Sequence, residues 1–272
     1  MDRLWRGSRP LTVVGLLMLA LTPISLLGVV VDPRVIGGMP AWMKPAKFAI
    51  STGIFCLTMA WILSWLPEWR RLRPIVGWVT ALVFVMEVAI VDLQAWRGVA
   101  SHFNVGNNFD AVLYLTMGAG IMLQTLMTGV VALALFLTRF EDGALGWALR
   151  LGVAISIAGA STGILMTRPN AGQIAQANGG RYIVNGAHSI RGPDGGPGLP
   201  GVGWSTQHGD LRVAHFFGLH AIQGLPLLAL LASPRMAQRR RTKLVLIAAT
   251  AYAGIFYFLL SQALNGQPLV AL

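Results

Sequence analysis

The chain has 272 residues, 55% of them hydrophobic and 11% charged, with a mean hydropathy of +0.63. A soluble domain carries roughly 25% charged residues. The formal charge of +11 reads as topology determinants and contact with anionic lipid, not nucleic-acid binding, which would need a basic groove on a soluble domain. The lone cysteine, Cys56, excludes an intramolecular disulfide and a cysteine-based metal site.

A bilayer-spanning helix needs about 20 apolar residues. Such runs recur at 11–31, 46–66, 75–96, 111–137, 145–166, 213–232 and 244–264. The pattern predicts an all-α, single integral-membrane domain over 1–272 with seven spans. The first run is long and lacks a small-residue cleavage site, so it reads as a span and not as a signal peptide.

Basic residues set the orientation. Arg3, Arg6, Arg9, Arg70, Arg71, Arg73, Arg139, Arg150, Arg235, Arg239, Arg240, Arg241 and Lys243 fall on one side, in short segments. Arg34, Lys44, Lys47, Arg97, Arg168, Arg181, Arg191 and Arg212 fall on the other, half of them in or beside one long loop. The richer side is expected to be cytoplasmic, giving N-terminus in and C-terminus out across a bacterial-type inner membrane. All five histidines, His102, His188, His208, His215 and His220, then lie on the extracytoplasmic side.

In chain order, Pro45 suits the first turn of the second span and Trp42 an interfacial anchor. The third span carries Glu87, Gln94 and Arg97 on one face that continues to Ser101, with Asp92 well round from it. The connection after it contains His102 and Asn104. Asn108 or Asp110 is expected to cap the fourth span. The segment 167–207 is long and rich in Gly and Pro. Loops beyond about 12–15 residues are usually functional or disordered. Here Asn185-Gly186, between 181–184 and 187–190, predicts a β-hairpin, and the segment reads as a lid over the bundle.

The sixth span opens with His208 and Arg212 and continues through His215, His220 and Gln223. As one unbroken helix, these five would share a sector of roughly 140° turned inward. Pro226, about a turn and a half beyond His220, is expected to kink it. Glu87 and His220 come out at matched depth, roughly 15 Å from the outer boundary, and are expected to meet.

Ionisable groups within spans are costly and mark functional sites. A polar cavity between the third, fourth and sixth spans is therefore expected, lined by Glu87, Gln94, Arg97, His102, Asn104, Asp110, His208, Arg212, His215, His220 and Gln223. Its occupant would be a small solute, ion or lipid head group, with transport one use of it. A metal- or single-haem-dependent enzyme is the alternative, with His102, His215 and Asp110 as ligands from separate segments. His215 and His220, five apart, point away from each other and do not chelate one ion. No histidine lies on the cytoplasmic half to hold a second haem. A scaffold subunit with a structural polar face is the third reading. Lys44, Lys47 and Lys243 sit at helix ends or in loops, leaving no lysine inside a span for a retinal Schiff base.

Overall fold

The computed structural model describes residues 1–179, 183–232 and 236–271. It is mostly helical. A short α1 (Asp2–Gly7) leads into α2 (Arg9–Val31), then α3 (Met43–Leu63), α4 (Leu72–Arg97), α5 (Asn108–Leu137) and α6 (Gly143–Met166). After α7 (Ala171–Asn178) come α8 (Leu211–Leu219), α9 (Ala221–Leu231) and α10 (Gln238–Leu264). Six helices, α2 to α6 and α10, are long and apolar enough to cross a membrane. The sixth predicted span is a bent pair, α8 and α9, meeting at 41°.

The break lies at His220, ahead of Pro226, so the kink is not where the proline places it. Two carbonyls before the break are taken up by side chains. Ser156 donates to Leu219 O (3.1 Å) and Tyr252 to Phe217 O (2.7 Å). Non-helical backbone at membrane depth needs partners of this kind.

α2 packs along α3 and both pack against α4, while α6 packs against α8, α9 and α10. α5 bridges the two groups through α4 and α6. The apolar core includes Leu11, Met59, Ile62, Leu63, Leu135, Leu149 and Ile222, all fully buried. Outward faces are also apolar. Leu82, Leu126, Leu230 and Phe258 are exposed, a surface suited to lipid.

The connections 32–42, 98–107 and 167–210 gather at one end of the bundle. Two small antiparallel sheets form there. β1 (Val35–Ile36) pairs with β2 (Met39–Pro40), and β3 (Ser189–Ile190) with β4 (Gly209–Asp210). The first is a two-residue hairpin whose turn, Gly37 and Gly38, has φ of 56° and 80°, the positive values a type I′ turn requires.

The hairpin expected at Asn185-Gly186 is not formed by the described residues. Val184 bridges to Asn104, Asn185 N–H donates to Phe103 O (2.8 Å), and Ser189–Ile190 pairs with Gly209–Asp210 instead. Gly186 has φ of 114°, and a Cβ there would lie 2.8 Å from the Phe103 ring. Its glycine serves a close approach as well as a turn. Arg181 and Tyr182, part of the expected strand, lie outside the described residues.

The connection expected to act as a lid is braced by its own side chains. Asn170 and Gln173 form a reciprocal capping box on α7. Gln173 also reaches Gly186 O (2.8 Å).

Candidate functional site

The expected polar residues fall into three separate groups. The first closes the lid end of α4 and α5. Asn107, not Asn108 or Asp110, is the cap of α5, its side chain accepting from Asp110 N–H (2.9 Å). Asp110 therefore sits in the first turn, and its carboxylate accepts from Asn107 (2.7 Å), Gln94 (2.9 Å) and the Arg97 guanidinium. Gln94 and Asp110 are buried. The group is charge-balanced, and its carboxylate is fully engaged.

The second group sits at the break between α8 and α9. His220 Nδ1 meets Gln223 Oε1 (3.2 Å), and Gln223 Nε2 donates to Thr58 (3.4 Å) on α3. The Phe216 ring packs edge-on against His220, with centroids 4.3 Å apart. No carboxylate takes part. The expected contact between His220 and Glu87 is not a hydrogen bond, because neither Glu87 oxygen has a partner among the described residues.

The third group carries most of the charge. Lys44 and Lys47 lie one turn apart at the start of α3, inside the helix and not beyond its end. Lys44 Nζ lies 2.9 Å from His102 Nδ1. An ammonium has only donors, so His102 Nδ1 accepts and its proton sits on Nε2. Lys47 donates to Val202 O in the lid (2.9 Å). Arg212 pairs with buried Asp210 (2.5 Å) and donates to Gly203 O (2.6 Å). His188 Nδ1 lies 2.8 Å from Asp194, which also accepts from the backbone N–H groups of His188 and Ser189. His215 Nδ1 donates to Gly159 O (2.8 Å), leaving a lone pair on Nε2.

These side chains feel one another's charge. Lys44 is within reach of Glu87, Arg212 and Lys47, and His102 of Lys44, His188 and His215. Lys44, His102, His188 and His215 are set deep in the protein yet retain some solvent-accessible surface. Burial, then the charge of Lys44, pushes His102 well below the usual imidazole range. Burial also lowers His188, against the opposing pull of Asp194. Burial alone would raise Asp194, but the His188 contact and two backbone N–H donors outweigh it and hold the carboxyl low.

Asn104 is local scaffolding. Its amide donates to Ala100 O (3.2 Å) and its oxygen accepts from Gly106 N–H (3.2 Å). His208 precedes α8 and does not share its face. Its ring lies against Gly192, where a Cβ would collide with it. The five-residue inward sector is thus corrected. With the helix starting at Leu211 and broken at His220, only Arg212 and His215 lie on α8, and Gln223 belongs to α9. The expected metal ligands His102, His215 and Asp110 are divided between two of these groups. Among the described residues no group of three or more His, Cys, Asp or Glu side chains is placed to hold an ion, and Asp110 belongs to the first group.

Lys44, Lys47, His188, Asp194 and Asp210 were not among the expected site residues. The spacing of Lys44 and Lys47 at i, i+3 in an otherwise apolar helix start was the available signal. A separate cleft of about 550 Å³, lined by Arg168, Asn170, Ser189 and Arg191 among others, lies elsewhere on the lid and holds none of the expected site residues.

Comparison of this chain with protein-family models, curated proteins and solved structures finds no match.

Proposed function

We propose that this multi-pass membrane protein crosses a bacterial-type inner membrane seven times, N-terminus inside. In this reading it binds a small phosphate- or carboxylate-bearing ligand from the extracytoplasmic side, beneath the lid. The observation that carries it is the pair Lys44 and Lys47. Two ammonium groups sit one turn apart, half-buried, and neither has an ion-pair partner among the described residues. Charged groups at such positions are costly unless paired. An anion supplies the missing partner.

Supporting this, Lys47 and Arg212 direct donors at the carbonyl oxygens of Val202 and Gly203. Anionic oxygens would replace those carbonyls with stronger, charge-assisted bonds. His102 adds a neutral Nε2–H donor.

The test is calorimetric titration of protein in phosphatidylcholine nanodiscs with inorganic phosphate and with sulfate. A parallel arm uses nanodiscs containing phosphatidylglycerol, reading thermal stability without added solute. Saturable binding of the free anions identifies a solute site; stabilisation only by phosphatidylglycerol identifies a head-group site. Lys47→Met, removing one charge-assisted hydrogen bond worth about 1.5–3 kcal/mol, should weaken either by about tenfold or more. Absence of binding in both arms, or an unchanged affinity in Lys47→Met, refutes the assignment.

A further inference from the structure

Asp92 has one buried oxygen without a hydrogen-bond partner; Glu87 goes further than any other described carboxylate. It is 1% exposed, in the middle of α4, and both oxygens lack a hydrogen-bond partner. Asp110 has donors from three side chains, Asp194 has a histidine and two backbone groups, and Asp210 has an arginine and two backbone groups.

The elements packed on α4 limit what can compensate it. α2 has one charged side chain, Arg9, at its far end. α3 offers Lys44, Lys47 and buried Cys56; α5 offers Asp110 and Tyr114. On α4 itself, Arg97 is taken by Asp110, Arg73 donates to Gly7 O at the opposite end, and Asp92 is another acid. Of all these, Lys44 is the one whose charge reaches Glu87. Yet Lys44 makes no ion pair with it, and its ammonium points at His102.

We infer that Glu87 is a proton-binding site linked to the anion site: an anion that engages Lys44 and Lys47 brings one proton with it, onto the Glu87 carboxylate. The inference rests on the proposed anion binding and adds its coupling ion. A buried carboxylate without donors remains charged only against an opposite charge. One ammonium cannot fully serve two anions. When the ligand claims the field of Lys44, a proton on a Glu87 oxygen replaces it and offsets one unit of the charge that the anion brings. By linkage, anion affinity then rises as pH falls, by about tenfold per pH unit while Glu87 titrates.

His102 and His188 also face Lys44, with His215 next to His188, and a proton taken up there would mimic the effect. The experiment separates the two. Sulfate, which does not titrate near neutral pH, is titrated calorimetrically into the nanodisc protein in two buffers of different ionisation enthalpy. The expected result is uptake of about one proton per sulfate in the wild type and none in Glu87→Gln, with sulfate still bound and its affinity now flat with pH. An infrared C=O band of a protonated carboxyl should appear on sulfate binding in the wild type and be absent from the variant. Sulfate binding without proton uptake overturns the coupling and leaves the anion site standing. Uptake that persists in Glu87→Gln moves the proton to the histidines and also overturns it. If neither free anion binds and phosphatidylglycerol does not stabilise the protein, both readings fall. Should Glu87→Gln not fold, the wild-type proton count and infrared band still decide the matter.

Discussion

Gly159→Ala adds one methyl group where α6 meets α8. That Cβ would lie 2.5 Å from Gly218 C, 2.6 Å from Leu219 N and 2.7 Å from Gly218 Cα. All three are backbone atoms, so no side chain can step aside, and ordinary contact needs the helices to part by about 1 Å. Overpacking of this kind costs about 1–3 kcal/mol. The same separation strains the Ser156 bond to Leu219 O and the His215 bond to Gly159 O; interhelical hydrogen bonds in membranes average roughly 0.6 kcal/mol each. Against this stands the gain of about 0.5–1 kcal/mol from replacing a helical glycine with alanine. The net expectation is destabilisation by about 1–3 kcal/mol. Gly118→Ala is the control, because a Cβ there meets nothing within 4 Å, so only the propensity gain remains. Unfolding of both variants in mixed detergent, followed by circular dichroism, gives the comparison. If Gly159→Ala proves as stable as Gly118→Ala, the close packing that seats His215 is wrong.

Two further outcomes follow from charge. His102 and His188 are held below the ordinary imidazole value of about 6.5, so their contribution to stability is complete above that pH. It is lost as pH falls from about 6.5 toward the lowered values, and Asp194 adds a loss of the same sign below about pH 4. Denaturation midpoints should therefore fall on acidification, less steeply in His102→Gln; midpoints that rise as pH drops would contradict the burial of these imidazoles. For orientation, Gly195→Cys should react with an impermeant maleimide in intact cells while Arg240→Cys is protected, Cys56 being buried and silent; the reverse pattern inverts the topology.

The long apolar runs were legible because a bilayer imposes a length that composition reveals directly. Five predicted spans match helices to within three residues at each end. The last helix starts earlier, at Gln238, because its first turn and a half is basic and polar. What the sequence hid has local causes. The break at His220 falls among Leu219, His220 and Ala221, none of which stops a helix. Pro226 misled because it sits inside α9. Asn185-Gly186 carries a hairpin signal, yet Phe103 and Asn104 claim Val184 and Asn185 from another loop. Gly37-Gly38, between only two residues of strand on each side, was the turn actually used. Lys44 and Lys47 read as end charges because the lid that encloses them is brought in from more than a hundred residues away.

The bend at His220 is the feature most easily mistaken for the binding site, since broken helices in membrane proteins often leave carbonyls and N–H groups to coordinate ions. Here Leu219 O and Phe217 O are already occupied by Ser156 and Tyr252, and the His220 side chain is held by Gln223 and Phe216. The backbone at the break is thus engaged from α6 and α10, and the side chains around it are neutral. Arg97 and Asp110 balance each other within their own group. Charge without an ion pair among the described residues remains at Lys44, Lys47 and Glu87, three side chains contributed by α3 and α4, of which Lys47 meets Val202 O of the 167–210 connection. A group that costs stability and is left unpaired demands an occupant, and the sign of its charges says what that occupant carries. In the reading proposed above, the two ammonium groups, hydrogen-bonded but without an ion pair among the described residues, are answered by an anion, and the Glu87 carboxylate by a proton.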